Sequence, residues 1–336
     1  MLKERIQAFA ALGTRLNTID TETLQEWSLM AKAENNWFTE ENVKTAINAL
    51  TTWLSPKKLT AWLENYQLKE KTAHKIGVVM AGNIPLVGFH DMLSVLISGN
   101  ILYAKLSSQD TFLMKQIRQL LIEIDPIYKD YFVIADKLKG MDAVIATGSD
   151  NTAKYFNYYF ADIPHIIRSN RSSVAVLSGN ESEEELALLG KDILQYFGLG
   201  CRNVSKLFVP TGYTFDKFYE SIAYLKTAVE HNKYINNYEY NKSIYLVNRV
   251  AHLDNGFLLL TQSPNLVSPI SVLYYEEYNS LPELDIKLLT HSEKIQIVLS
   301  ENGWYNESEK FGTGQCPSLL DYADGIDTIS FINSIN

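Results

Sequence analysis

The sequence predicts an α/β protein with two doubly wound domains that follow an N-terminal helical segment. Short apolar runs alternate with amphipathic stretches from residue 74 onward, as in HKIGVVMAGN (74–83) and MDAVIATGSD (141–150), and this alternation is typical of a parallel sheet covered by helices. The first 70 residues show helical periodicity instead. A chain of 336 residues is long enough to form two buried cores.

Residues 1–70 are predicted to be helical throughout. The stretches LKERIQAFAALGTRL, ENVKTAINALTTWLS and SPKKLTAWLENY carry apolar residues at helical spacing, and Ser55-Pro56 is a good helix start. This part holds four of the five tryptophans and no grouping that suggests chemistry. We therefore expect a helical cap or wall over the body of the protein.

Residues 71–178 are predicted to form a nucleotide-cofactor-binding domain. After the first strand come the helix FHDMLSVLISGN, the strand NILYAKLSSQD and the helix TFLMKQIRQLLIEID. YFVIAD, MDAVIATGSD and NTAKYFNYYFADI continue the pattern as two strands and a helix. The alternation predicts a doubly wound sheet.

Residues 179–310 are predicted to form a second, catalytic domain, and residues 311–336 a tail that packs back on the body. The acidic run from Glu181 to Glu185 suits the start of a helix. TFDKFYESIAYLKTAVEHNKY is predicted to be a helix, and KLFVP, KSIYLVNRV, SPISVLYYEEY and EKIQIVLSE are predicted to be strands. The tail contains Cys316 and Asp321, to which we assign packing.

Composition and charge exclude several classes of protein. A net charge of −9 argues against nucleic acid as the main partner, because phosphate binding needs a concentrated basic surface. Two cysteines are too few for a disulfide framework, and the six histidines form no metal-ligand pattern. The N-terminus lacks the apolar core of a signal peptide, and no run reaches the ~18 apolar residues of a membrane span. We expect a cytoplasmic protein without a bound metal.

Two residues are candidates for covalent chemistry. Cys201 follows a turn with glycines at 198 and 200, where a substrate can approach closely and backbone N–H groups can hold an oxyanion. Asn83 follows a strand in a loop stiffened by Pro85, which suits an oxyanion donor. From these stretches alone, a buried structural cysteine and a turn asparagine are the more common explanations.

Four further residues suit the binding of a nucleotide. Lys105 ends a predicted strand and is followed by Ser107, while Gly148 and Ser149 form a turn before a helix. Such groups bind ribose hydroxyls or phosphates. The chain has neither a GxGxxG motif after the first strand nor a P-loop, so each of these signals is weak by itself.

The order of these motifs resembles that of the aldehyde dehydrogenase superfamily, and more closely that of the fatty acyl-CoA reductases, which include the fatty-acid reductase of bioluminescence. The stretches that carry the resemblance are AGNIPLVGFHDMLSVLISGN, IRSNRSSVAVLSG, GLGCRNVSKLFVP and GQCPSLLDYADGIDT. They cover roughly residues 70 to 336. The resemblance implies an aldehyde-dehydrogenase-like fold for both domains.

The resemblance also implies a role for each candidate. Cys201 resembles the nucleophile that attacks a thioester, and Asn83 with the Cys201 N–H resembles an oxyanion hole. Lys105 and Ser107 resemble contacts to the adenosine side of NADPH or NADH, and Gly148 and Ser149 resemble the turn near its phosphates or nicotinamide. His165 or Arg168 is a further candidate for contact with the cofactor or with CoA phosphates.

Two departures from the family pattern bear on the activity. Aldehyde-oxidising members carry a glutamate base just before the strand that reads SSVAVL here, whereas this chain has HIIRSN at residues 165–170. Without that base an acyl-enzyme resists hydrolysis, which favours reduction of a thioester. The family's glutamate contact to the nicotinamide ribose is also not found, because the segment before LYYEEY reads LVSPIS.

The sequence therefore predicts an NAD(P)H-dependent reductase that converts an acyl-CoA or acyl-carrier-protein thioester to an aldehyde. The resemblance suggests NADPH and a fatty acyl chain, and it allows a homo-oligomer or an acyltransferase partner. One alternative is an acyltransferase or thioesterase that uses the same cysteine. The other is a non-catalytic subunit of a fatty-acid-processing complex.

Overall fold

The computed structural model describes residues 1–68 and 72–335. The helices are α1 (Leu2–Asn17), α2 (Thr21–Glu34), α3 (Glu40–Trp53), α4 (Pro56–Leu63), α5 (Phe89–Ile97), α6 (Thr111–Ile124), α7 (Tyr128–Tyr131), α8 (Asp150–Tyr159), α9 (Glu183–Leu194), α10 (Asp216–Ile222), α11 (Asn232–Val247), α12 (Leu281–Thr290) and α13 (Thr328–Asn333). The strands are β1 (Lys75–Val79), β2 (Ile101–Lys105), β3 (Phe132–Ile134), β4 (Ala143–Thr147), β5 (His165–Arg168), β6 (Ser172–Val176), β7 (Val204–Pro210), β8 (Leu253–Asp254), β9 (Leu259–Gln262), β10 (Val272–Tyr278), β11 (Ile295–Ser300) and β12 (Glu309–Lys310).

The chain divides into two compact units. Unit 1 comprises residues 1–170 and 318–336, and unit 2 comprises residues 171–317. Each is described separately below. No helix in the described parts of the chain combines the length and apolar character that crossing a membrane requires.

The first four helices of unit 1 bury an apolar stripe, and α2, α3 and α4 are capped by polar side chains. Asp20, Thr39 and Ser55 each accept a hydrogen bond from a backbone N–H in the first turn of the helix that follows, and such caps typically contribute about 1 kcal/mol each. Phe9 and Leu12 of α1 are fully buried in the core of unit 1.

Within the described residues, unit 1 contains a five-stranded parallel sheet in the order β3-β2-β1-β4-β5. The chain runs from β1 outward to β2 and β3, and then returns to the other side of β1 for β4 and β5. This reversal places a topological switch point between β1 and β4, where the carboxyl ends of the strands form a crevice that typically binds ligands. The predicted doubly wound α/β fold is confirmed.

The described residues of unit 2 form a seven-stranded sheet in the order β12-β11-β6-β7-β10-β9-β8. All pairings are parallel except that of β8 with β9. Strand β7 lies in the middle of the sheet between β6 and β10, and nearly all of its residues are buried. The loop directly before β7 carries Cys201, so the candidate thiol lies next to a central and largely buried strand.

The two units begin and end at different residues from the predicted domains. Strand β6 pairs with β7 and β11, so the first unit ends at residue 170 and not at the predicted 178. Residues 318–336 belong to unit 1, because α13 packs on α5 and buries Ile329 and Ile332 in that core. The predicted boundary at 70 to 71 lies outside the described residues.

One predicted strand is wrong. The segment KSIYLVNRV (242–250) belongs mostly to helix α11, although its branched residues favour a strand. Tyr234 and Tyr238 of the same helix are buried, and their hydroxyls donate hydrogen bonds to Phe257 O (2.9 Å) and Asp254 Oδ1 (2.6 Å). These anchors outweigh the local propensity. The predicted long helix from 214 to 234 is also divided, into α10, a 3-10 segment and the start of α11.

Candidate active site

Cys201 follows a turn with unusual backbone geometry. After α9 the chain passes through φ angles of 52° at Tyr196, 58° at Phe197, 77° at Gly198 and 101° at Gly200. Glycine adopts this left-handed region freely, whereas each of the two aromatic residues incurs strain of about 1–2 kcal/mol there. The turn is therefore a strained connection between α9 and β7.

Packing of Phe197 and burial of Tyr196 offset this strain. The ring of Phe197 packs on His231 with centroids 4.4 Å apart and on Tyr234 with centroids 6.0 Å apart. The side chain of Tyr196 is buried. Contacts of this kind are each worth about 0.5–1.5 kcal/mol beyond the area they bury. The aromatic contacts thus hold the glycine turn in one conformation.

The backbone around Cys201 is fixed by the neighbouring strand β6. The hydroxyl of Ser173 donates a hydrogen bond to Cys201 O (3.0 Å), and Ser173 N–H donates to Asn203 O (2.9 Å). Cys201 itself is half-buried at the amino end of β7. A thiol that is partly accessible and attached to a rigid backbone meets the steric requirement for a nucleophile.

The arginine that follows Cys201 holds a neighbouring loop of unit 2. Arg202 Nε donates to Gly314 O (2.5 Å), and its Nη2 lies 2.7 Å from each carboxylate oxygen of Glu309. From α9, Asp192 accepts hydrogen bonds from the N–H groups of Gly312 (2.6 Å) and Gly314 (2.9 Å). Burial raises the pKa of Asp192 to about 7, against the lowering effect of these two bonds. The segment from 309 to 314 is therefore anchored beside the residue after the candidate nucleophile.

Asn83 lies in an exposed position of unit 1, in the loop of residues 80–88 that connects β1 to α5, here called the Asn83 loop. Among the described residues its side-chain amide has no hydrogen-bond partner. The rest of the loop is largely buried, and Leu86 has a φ of 59°. An exposed amide on a fixed loop is suited to donate a hydrogen bond to a ligand.

The other predicted cofactor residues of unit 1 lie at the same edge of the sheet. Lys105 ends β2 and is exposed, and Gly148 and Ser149 directly follow β4. Ser149 is the N-cap of α8, because its hydroxyl accepts from Thr152 N–H (3.3 Å). The Ser107 hydroxyl accepts from Gln109 N–H (3.2 Å), which leaves its own proton available.

This edge fits a nicotinamide dinucleotide by the chemistry of its donors. The ammonium of Lys105 and the amino end of α8 supply positive charge for phosphates, and the Ser107 hydroxyl suits a ribose. The Asn83 loop packs closely against Ser107 here, since a Cβ added to Gly82 would lie 2.5 Å from Ser107 Oγ. The groups surround the switch point between β1 and β4, where such ligands bind in this type of sheet.

His165 does not join this group. It begins β5, and its Nδ1 lies 2.9 Å from Ile163 O. The amino end of a parallel strand is at the opposite edge of the sheet from the carboxyl ends of β1, β2 and β4, about 10 Å away along a four-residue strand. His165 and Arg168 are only three residues apart in the sequence, yet they occupy opposite ends of one strand.

Arg168 lies at the correct edge but is buried in an ion pair. Its Nη1 is 2.6 Å from Asp91 Oδ2 on α5, and its Nη2 donates to Thr328 Oγ1 on α13 (3.0 Å). Arg168 is only 4% exposed. These contacts connect β5, α5 and α13 within unit 1, which is a structural role.

Replacement of Arg168 by Met should destabilise unit 1 by about 3–5 kcal/mol, because the carboxylate of Asp91 would be left buried without its partner. Arg15→Met is the matched control, since Arg15 pairs with Glu123 on the surface at 3.2 Å and such pairs are worth about 0–1 kcal/mol. Urea unfolding of both variants measures the difference. Equal losses of stability, or weaker cofactor binding by folded Arg168→Met, would contradict the structural role.

Three residues that were not predicted from the sequence contact the loops and the helix start at this edge. They are Glu34, Asn35 and Asp110, of which Asn35 and Asp110 are buried. Burial raises the pKa of Asp110 to about 8, Glu34 adds to the rise, and the hydrogen bond from Leu86 N–H opposes it. Burial therefore favours the protonated form of Asp110. A buried aspartate at a helix start carries no sequence signal beyond that of an ordinary N-cap.

Cys316 differs from Cys201 in its setting. It is exposed, and partial burial of its thiol together with the nearby Asp192 raises its pKa, which disfavours the reactive thiolate. No cluster of three or more His, Cys, Asp or Glu residues suited to a metal occurs in residues 1–68 and 72–335.

The chain has the same fold as several solved aldehyde dehydrogenases. P. syringae AldA indole-3-acetaldehyde dehydrogenase, solved with NAD+ and IAA, has a TM-score of 0.66 and 12% identity over 92% of this chain and 73% of that one. The aldehyde dehydrogenase KauB from Pseudomonas aeruginosa has a TM-score of 0.64 and 14% identity, over 89% of this chain and 72% of its own. Glyceraldehyde-3-phosphate dehydrogenase GapN from Methanocaldococcus jannaschii, solved with NADP, has a TM-score of 0.64 and 12% identity, over 89% and 76%.

The family is defined more narrowly by sequence. The model of the family "Acyl-CoA reductase (LuxC)" matches residues 14–231, which is more than half of the chain and includes Asn83 and Cys201. The chain therefore belongs to the acyl-CoA reductase (LuxC) family, as the sequence analysis predicted. No curated protein sequence matches it. Family and fold together support an aldehyde-forming oxidoreductase.

Proposed function

We propose that this protein reduces a fatty acyl thioester of CoA or of an acyl carrier protein to the aldehyde, with NADPH as reductant and NADH as the alternative. The observation that carries the proposal is the Cys201 turn. In it, a half-buried thiol stands at the amino end of a central strand, on a backbone fixed by Ser173 and by packed aromatic rings. Membership of the acyl-CoA reductase (LuxC) family supports the substrate class.

In the first step, the Cys201 thiolate attacks the carbonyl carbon of the thioester. A carbon–sulfur bond forms to Cys201, the carbon–sulfur bond to CoA or to the carrier breaks, and the leaving thiolate takes up a proton. The resemblance to the family assigns to the Asn83 amide, with the Cys201 N–H, the donation of a hydrogen bond to the oxygen that becomes negative in the transition state. One such donor typically lowers the barrier by about 3–4 kcal/mol.

In the second step the acyl-Cys201 is reduced. The nicotinamide, when bound, supplies the hydride. The carbonyl oxygen again gains negative charge, and Asn83 again stabilises it. The aldehyde leaves as the bond to Cys201 breaks, and the thiolate is regenerated. Lys105, Ser107, Gly148 and Ser149 are the residues that we propose hold the cofactor.

The segment before β6 favours reduction over hydrolysis. Residues 165–170 read HIIRSN and contain no carboxylate to activate water, and Arg168 in this segment is engaged with Asp91 and Thr328. An acyl-cysteine hydrolyses slowly unless a general base activates water. It therefore persists until reductant is bound.

Steady-state assays with medium-chain and long-chain acyl-CoA test the proposal. We expect aldehyde, released CoA and oxidised cofactor in equal amounts, with little free fatty acid. Free acid formed without reduced cofactor would identify a thioesterase, and transfer of the acyl group to an added thiol or alcohol would identify an acyltransferase. Absence of any reaction with CoA and carrier-protein donors would favour a non-catalytic subunit.

A further inference from the structure

The Asn83 loop is held by two side chains from outside it. Asn35 Nδ2 donates a hydrogen bond to Gly82 O (3.0 Å), immediately before Asn83 in the chain. Asp110 Oδ2 accepts a hydrogen bond from Leu86 N–H (2.7 Å), three residues after Asn83. The two contacts therefore lie on either side of Asn83, whose amide we propose as a donor to the oxyanion.

The contact from Asn35 has a fixed orientation. Asn35 is 5% exposed at the end of α2, where its Oδ1 accepts from Trp37 N–H (3.1 Å) and its backbone carbonyl accepts from Phe38 N–H (2.8 Å). With its oxygen occupied by Trp37, its NH2 group is directed to the loop. The helical segment thus reaches the loop through one buried amide.

The contact from Asp110 is possible because Glu34 replaces Asp110 as the acceptor at the start of α6. Asp110 stands at the N-cap of α6, where an aspartate normally accepts hydrogen bonds from the first turn. Here Glu34 of α2 takes those bonds, from Thr111 N–H and Phe112 N–H at 2.8 Å each. Asp110 is released to bind the loop. It is 2% exposed, and its Oδ1 has no hydrogen-bond partner among the described residues.

The loop needs such support because Leu86 is in a conformation that leucine rarely adopts. Its φ is 59°, and its side chain is 4% exposed in the core of unit 1. A branched side chain in the left-handed region persists only when surrounding contacts determine it. Asp110 bonds to the N–H of this same residue.

We propose that Asn35 and Asp110 are positioning residues that fix the Asn83 loop, so that the Asn83 amide meets the developing oxyanion without rearrangement. The proposal rests on the function proposed above. The positioning role extends that function, because it gives the N-terminal helical segment an influence on the rate of the chemical steps. The influence acts through Asn35 and Glu34.

Three variants test this role in the steady-state reductase assay. Asn35→Ala and Asp110→Ala should each lower kcat by about 10- to 100-fold with KM for the thioester within twofold, since a misplacement of ~1 Å costs about 100-fold. Asp110→Asn should stay within about threefold of the unchanged protein. The reason is that a neutral amide supplies the same acceptor to Leu86 as the protonated carboxyl does.

The matched control is Asn100→Ala. Asn100 is 2% exposed and also orients backbone, since its Oδ1 accepts from His74 N–H (3.0 Å), but it lies at the amino edge of the same sheet. We expect its kcat to remain within twofold even if its stability falls as much as that of Asn35→Ala. A loss of kcat in Asn100→Ala equal to that in Asn35→Ala would overturn the positioning role.

The same changes made in Asn83→Ala provide a second test. If Asn35 and Asp110 act through Asn83, neither substitution should lower kcat by more than about twofold in that background, because the group they position is gone. Full additivity of the two effects would overturn the proposal.

Amide hydrogen exchange measures how firmly the Asn83 loop is held, independently of activity. In Asp110→Ala and Asn35→Ala the amides of residues 82–88 should exchange at least ~10-fold faster, the Leu86 amide above all in Asp110→Ala, whereas Asp110→Asn and Asn100→Ala should leave them unchanged. Unchanged exchange in both alanine variants would overturn the proposal. If the unchanged protein reduces no thioester, the proposed function fails and the catalytic role of the two residues fails with it. The exchange rates still decide whether they hold the loop.

Discussion

Replacement of Cys201 by Ser should abolish aldehyde formation, with a loss of at least ~10³-fold in kcat. A serine hydroxyl is almost fully protonated at neutral pH and attacks a thioester far more slowly than a thiolate. The change removes no buried side-chain volume of consequence, because Cys201 is half-buried and serine is nearly isosteric. Aldehyde formation measured by gas chromatography gives the rate directly.

Cys316→Ser is the control for this variant. Cys316 is the second cysteine of the chain. It is exposed, and its pKa is raised by partial burial of the thiol and by Asp192. We expect full activity from Cys316→Ser and also full modification of its remaining thiol by an acyl donor. Loss of activity in Cys316→Ser with activity retained in Cys201→Ser would reverse the assignment of the nucleophile.

Replacement of Asn83 by Ala should lower kcat by about 10²–10³-fold, which is the usual effect of removing one oxyanion donor. Stability should change little, because the side chain is exposed and makes no hydrogen bond within the described residues. Asn83→Asp should be at least as slow, since a carboxylate cannot donate and repels the negative oxygen. Stopped-flow release of CoA isolates the acylation step, in which the full effect is expected.

Asn180→Ala is the control for Asn83→Ala. Asn180 is likewise exposed in a loop that follows a parallel strand, here β6. Its removal should leave kcat unchanged within twofold. If Asn83→Ala and Asn180→Ala have the same kcat, Asn83 is an ordinary turn residue, which is the alternative that its local sequence allows.

The fold class was predictable from the sequence because the parallel strands are short, buried and strongly apolar. The runs at β1, β2 and β4 are each followed by glycine, serine or asparagine, and this combination marks the end of a buried strand. The error at KSIYLVNRV has the opposite cause, since tyrosines up to eight residues earlier in α11 determine its helical state through tertiary contacts.

The candidate site was only partly predictable from the sequence. The glycines before Cys201 and the proline after Asn83 are local signals, so both residues could be named as candidates without a structure. The contacts of Arg168 are not local: Asp91 is 77 residues away and Thr328 is 160 residues away in the chain. Likewise, Asn35 lies 47 residues from Gly82 and has the sequence appearance of an ordinary helix end.

The most direct test of the central claim is the intact mass of the protein after mixing with a long-chain acyl-CoA, before and after addition of NADPH. The account predicts a gain of one acyl group that is absent in Cys201→Ser, is present in Cys316→Ser, and disappears with release of aldehyde when NADPH is added. An adduct that forms equally in Cys201→Ser, or that is lost only as free acid whether or not NADPH is present, would contradict the account.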